Sequence, residues 1–91
     1  MMITLDEMKS YLRVDFTDED ALIEGFITEA ENMCKDILRV DDESKMQSVS
    51  NIKIAIMYAV AYLYEHREDA DHKALTLDLR SLLFGDRNEA F

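Results

Sequence analysis

Apolar positions recur along this chain in four stretches, and their spacing predicts helices throughout. Leu5, Met8 and Leu12, with Tyr11 beside them, keep three- and four-residue steps. That is the period of one helix face, and it leaves Asp6, Lys9 and Ser10 toward water. Thr4 with Glu7 fits a capping box, in which the threonine hydroxyl and the glutamate side chain each satisfy a backbone N–H at the helix start. Arg13 to Phe16 breaks the pattern, with Val14 and Phe16 expected to tuck onto the core. Thr17 is the expected cap of a second helix, with Asp18, Glu19 and Asp20 in its first turn, where carboxylates favour the positive end of the helix dipole. Leu22, Ile23, Phe26, Ile27, Ala30, Met33, Cys34, Ile37 and Leu38 then form one long stripe, with Glu24, Glu29, Glu31 and Lys35 opposite. Gly25 inside it is unfavourable for a helix, and a close helix crossing would explain it.

The third stretch departs from this pattern. Ile52 to Tyr64 holds twelve apolar residues in thirteen positions, broken only by Lys53, and ends in Glu65, His66, Arg67 and Glu68. A helix apolar nearly all round requires cover on every side. In so short a chain, part of that cover is expected from other copies or a partner. The run is well short of the ~20 residues of a membrane span. Residues 39–49 lose periodicity and read as a loop, with Ser48 or Ser50 capping the third helix, which is expected to reach about Glu68. After the polar break from Glu68 to Lys73, Leu75, Leu79, Leu82 and Leu83 share a face of a short fourth helix, with Gly85 as its left-handed cap. No internal repeat stands out. The fold class expected is all-α: a small bundle of about four helices with a long amphipathic second helix and a buried third. Residues 1–85 are read as one domain and 86–91 as a polar tail.

Composition supports helix. The 91 residues contain no proline and only two glycines, which removes most turn punctuation. Charge excludes some functions. The formal net charge is −10, with −8 of it carried by residues 1–45 and −2 by 46–91. Such a field opposes groove binding to DNA and adhesion to anionic membranes. It serves solubility, and would also suit a surface that lets DNA slide past. Cys34 is the single cysteine, so no intrachain disulfide is possible, and its apolar neighbours read it as a buried hydrophobe. No secretory signal is read at the start of the chain, so a cytoplasmic site of synthesis is expected.

Material for catalysis is thin. The chain has no glycine-rich phosphate loop, nucleophile elbow or zinc-protease pattern. His66 and His72 do not share a face as an i, i+4 metal pair would. Asp41, Asp42 and Glu43 lack the glycine and alternating ligands of a calcium loop. The expectation is no catalytic residue, no metal and no cofactor. Tyr58 and Tyr62 share one helix face and Tyr64 lies on another. They are read either as core packing with hydroxyls at polar edges, or as an oligomer or partner surface.

Three segments together carry a family resemblance: Ile3 to Asp15 (ITLDEMKSYLRVD), Asp18 to Leu38, and Ile52 to Glu68 (IKIAIMYAVAYLYEHRE). In order and spacing they resemble the head-tail connector proteins of long-tailed bacteriophages. The shared features are a first helix ending in Leu12-Arg13-Val14-Asp15, an acidic cap at Asp18 to Asp20, and a third helix finishing in Tyr64-Glu65-x-Arg67-Glu68. The resemblance implies an all-helical structural adaptor that forms a ring, twelvefold in the virion, beneath the portal. Such a ring extends the DNA channel and receives the stopper or tail-completion protein. Twelve copies at −10 each would carry about −120, disfavouring DNA adhesion. The implied location is the virion head-tail junction, after a period in the host cytoplasm. Relatives often carry prolines before the third helix and in the C-terminal segment; this chain has none. Interface candidates for subunit or portal contacts are Tyr62, Tyr64, Glu65, Arg67 and Glu68, with Arg80, Phe84, Arg87 and Phe91 following by position. The alternative function is a small acidic helical regulator that binds a host protein by imitating the charge of DNA.

Overall fold

The computed structural model describes residues 2–84, which form five α-helices and, among these residues, no strand. They are α1 (Leu5–Leu12), α2 (Asp20–Leu38), α3 (Glu43–Met46), α4 (Ile52–Glu65) and α5 (His72–Phe84). The all-α bundle expected from periodicity is the fold observed, with one helix more than anticipated. The extra element, α3, falls in the stretch read as a loop. It is a single turn capped by Asp42, whose Oδ1 accepts from the Ser44 N–H at 3.0 Å, and it delivers Met46 to the core fully buried. Four residues are too few for periodicity to register.

The core lies where α2 and α4 pack along each other, with α5 and α1 closing its sides. Ile23, Ile27, Ala30 and Cys34 of α2 are fully buried, as are Ala55, Ile56, Ala59 and Val60 of α4. Leu75 and Leu79 of α5 and Met8 of α1 complete the centre. Each large aliphatic side chain so covered stabilises the fold by about 1.5–3 kcal/mol. Small residues at Ala55 and Ala59, one turn apart on α4, leave room for a close neighbouring helix. Glu31, assigned by sequence to the solvent face of α2, is 7% exposed; its Oε2 accepts from the Met2 N–H at 2.8 Å and so anchors the start of the chain. That hydrogen bond explains how a carboxylate is tolerated at a buried position.

The helix ends show how local chemistry shapes the bundle. The Thr4–Glu7 capping box is present as read. Helices α1 and α2 both terminate in an arginine in the left-handed region, Arg13 at φ 62° and Arg39 at φ 59°. In each, the arginine N–H reaches back three residues and the following valine N–H five: Arg13 to Ser10 and Val14 to Lys9, Arg39 to Asp36 and Val40 to Lys35. This is the Schellman arrangement, built twice from the same tetrapeptide, Leu-Arg-Val-Asp at 12–15 and 38–41. The repeat is therefore real, although too short to stand out as a sequence period.

Other boundaries differ from those expected, some for local and some for tertiary reasons. Helix α2 begins at Asp20, not after Thr17; the Thr17 carbonyl accepts a turn hydrogen bond from the Asp20 N–H, and only Asp20 of the three acids sits in the first turn. Glu19 precedes it without a side-chain cap bond because its carboxylate is engaged elsewhere. Helix α4 starts after Asn51, not Ser48 or Ser50, and the Asn51 amide donates to the Leu82 carbonyl of α5 at 3.1 Å. Helix α4 stops at Glu65, and 66–69 form turns. Helix α5 starts at His72, where the Asp71 carboxylate accepts from the Ala74 N–H at 3.0 Å. Val14 is buried as expected, but Phe16 is 48% exposed. Among the described residues no helix crosses at Gly25: a Cβ there would meet nothing within 4 Å. The cap expected at Gly85 lies outside the described residues.

Candidate assembly surface

The C-terminal end of α4 is organised by aromatic and charged side chains that sequence had singled out. Tyr64 donates its hydroxyl proton to Glu19 Oε1, while Arg67 donates to Glu19 Oε2 and lies over the Tyr64 ring, 4.8 Å from its centroid. The two donors hold the Glu19 carboxyl below the usual carboxylate range, the Tyr64 hydrogen bond being the larger cause. The same contacts push the Tyr64 phenol and the Arg67 guanidinium up. This triad fastens the end of α4 to the entrance of α2, across 45 and 48 residues of sequence. Tyr62 stacks on His66 at 4.3 Å, and its hydroxyl accepts from the Asp71 N–H at 3.0 Å. His72 contacts Glu29 at 2.9 Å. The two histidines thus serve separate contacts.

Along the α4–α5 seam three polar contacts run antiparallel: Asn51 to the Leu82 carbonyl, Tyr58 hydroxyl to Asp78 Oδ2 at 2.8 Å, and Asp71 N–H to the Tyr62 hydroxyl. Among the described residues, α4 is also covered by α2 and α1, and only its side turned from them and from this seam is left partly bare. Ile54, Tyr58, Ala61 and Glu65 fall on one outward stripe; Ile54 is 60% exposed and Tyr58 37%. On α5, Leu77 is 59% exposed between the exposed Lys73 and Arg80.

Of the sequence-derived candidates, Tyr64 and Arg67 are brought together by Glu19 at the end of α4, while Tyr62 contacts His66 and Asp71 separately. Glu65 and Glu68 are exposed there, and with Arg67 and Asp69 they line a shallow open depression. Arg80 is exposed on α5, and Phe84 packs partly against the core. Arg87 and Phe91 lie outside the described residues. Sequence reasoning did not single out Glu19, Ile54 or Leu77 for this surface. Ile54 was hidden within a run that is apolar on all faces, and Glu19 looked like a helix-cap acid. Cys34 is buried, and burial followed by the Glu31 charge pushes its thiol up to about 12. Among the described residues no three His, Cys, Asp or Glu side chains gather as a metal site, and no helix is long and apolar enough to cross a membrane.

The fold and surface define a small all-helical protein that presents outward apolar and charged stripes, its surface depressions shallow and open. The chain belongs to the phage gp6-like head-tail connector proteins, matching that family over residues 2–85. Its general role is that of a phage head-tail connector, a structural component of the virion head-tail junction. No curated protein and no solved structure matched it.

Proposed function

We propose that this connector assembles as a ring of copies, twelve in the virion, beneath the portal. There it extends the DNA channel and receives the stopper or tail-completion protein. The observation that carries this reading is the unfinished cover of α4: an almost wholly apolar helix in a chain of net charge −10 leaves Ile54 60% exposed. Ile54 and Tyr58, one turn apart on α4, expose adjoining apolar area on one face, and adjoining exposed apolar area is what an interaction surface presents. Glu65, Glu68 and Arg80, exposed and charged, are our assignment for contacts at the edges of that surface, and Tyr64 with Arg67 for the support that holds the α4 end in place. The acidic surface favours passage of DNA without adhesion. The regulator that imitates DNA is less well supported, because Glu7, Glu19, Asp20, Glu29 and Asp41 are tied to basic partners within the chain.

The test is to add purified protein to DNA-filled, tailless heads that display the cognate portal and to image the vertex by electron microscopy. A ring of added density below the portal, and recovery of tail attachment, are expected. Heads that bind none of the protein would refute the reading.

A further inference from the structure

The two most exposed large aliphatic side chains of the bundle, Ile54 and Leu77, lie on different helices and head complementary stripes. On α4 the outward stripe runs Ile54, Tyr58, Ala61, Glu65, that is i, i+4, i+7, i+11, and continues into the exposed Glu68 and Asp69. It passes from apolar to acidic. On α5 the outward stripe runs Lys73, Leu77, Arg80, at i, i+4, i+7, and passes from basic to apolar and basic. In a chain with twenty acids and ten bases, this α5 stripe holds no acid, because Asp78 turns away to meet Tyr58. Lys73 and Arg80 have no ion-pair partner among the described residues, and neither does Glu65.

We infer that the α4 stripe of one copy is covered by the α5 stripe of a second copy, the two helices running antiparallel. This rests on the reading of the chain as a self-assembling connector and names the surfaces it would use. The shared spacing fixes the register. With Lys73 set against Glu65, four residues onward on α5 places Leu77 against Ala61, four residues back on α4. Seven residues onward places Arg80 against Tyr58, whose hydroxyl already holds the Asp78 carboxylate, and eleven residues onward places the partly exposed Phe84 at the end of α5 against Ile54. Lysine then meets the acidic end of α4, leucine an apolar position, and arginine a ring and a carboxylate. A parallel alignment would instead set Lys73 against Ile54 and leave the acids unmatched.

One molecule cannot make this contact with itself. Its own α5 already meets α4 through Asp78, Leu82 and Asp71, whereas Lys73, Leu77 and Arg80 occupy the side of α5 turned from that seam. The stripes are different surfaces facing different ways, so contact between copies is heterologous and hands on from one subunit to the next. Such contacts build rings when the rotation closes.

The experiment uses the full-length protein in sedimentation velocity. Wild type is expected to self-associate, and Ile54→Asp and Leu77→Asp each to weaken association by at least about tenfold, since each removes an aliphatic contact and places a charge in the seam. Both positions are exposed in the single copy, so circular dichroism should remain unchanged, as should Tm measured at concentrations where wild type is monomeric. The decisive arm mixes the two variants. Ile54→Asp keeps a sound α5 stripe and Leu77→Asp a sound α4 stripe, so an equimolar mixture should form heterodimers and nothing larger, whereas each variant alone stays monomeric. Wild type that is monomeric up to about 1 mM, variants that associate like wild type, or a mixture that stays monomeric each overturns the inference. Loading onto portal-bearing heads separates the two claims. If wild type and both variants load equally, the connector reading stands and this surface falls; if wild type fails to load, the connector reading itself falls.

Discussion

Replacing Gly25 with alanine should make this protein more stable. Gly25 sits six positions into the 19-residue α2, is exposed, and has a negative φ compatible with any L-residue. A Cβ added there meets nothing within 4 Å, so the substitution brings no clash. What it changes is the unfolded chain, whose backbone freedom falls, and the helix, whose intrinsic propensity rises. The expected gain is about 0.5–1 kcal/mol. For a chain of this size each kcal/mol moves Tm by roughly 4–8 °C, so Gly25→Ala should melt about 2–8 °C higher. Thermal unfolding followed by far-ultraviolet circular dichroism at low concentration reads this directly, with a urea titration checking that the m-value is unchanged. A lowered or unaltered Tm would refute the reasoning, because it would mean that something packs on Gly25. If Tm rises while loading onto heads falls, the glycine is kept for an intermolecular approach.

Three further outcomes follow from the same structure. Glu19 has a folded-state pKa below its ordinary value of 4.5, so its stabilising contribution is present above that value and is lost as pH falls through the depressed one. In urea titrations, the stability gap between wild type and Glu19→Gln should be widest above about pH 5 and close on further acidification. Arg13→Gly and Arg39→Gly should each stabilise by about 0.5–1 kcal/mol, because glycine adopts the left-handed cap without the Cβ penalty; equal or lower chemical-denaturation midpoints would contradict this. The Cys34 thiol, buried and held up to about 12, should resist a thiol-specific chromogenic reagent at neutral pH and react fully once urea unfolds the chain.

The candidate surface was legible to unequal degrees. The excess apolar content of 52–64 announced incomplete cover, and the structure locates it at Ile54 and Tyr58. That a helix has an uncovered side is a matter of composition, but which side is uncovered depends on where α1, α2 and α5 lie. Tyr64 and Arg67 drew notice as a sequence pattern at a helix end. Their joint partner, Glu19, lies 45 and 48 residues earlier, and no local pattern announces that pairing. Leu77 stood outside the apolar face of the fourth helix in the sequence, and its exposure follows from that.

Sequence alone determined the helical class, the amphipathic faces and the Thr4–Glu7 cap, because these depend on interactions within a few residues: side-chain period, hydrogen bonds between neighbours, and the absence of proline. Tertiary structure decided how α2 and α4 begin, since distant groups claim the side chains at those two ends. Glu19 goes to Tyr64 and Arg67 instead of capping α2, and Asn51 reaches across to Leu82. Glu31 is buried because the Met2 N–H meets it, an encounter that only the folded chain creates. The outward stripes of α4 and α5 have the same origin, for a helix face becomes a surface only when the rest of the bundle has chosen the other side.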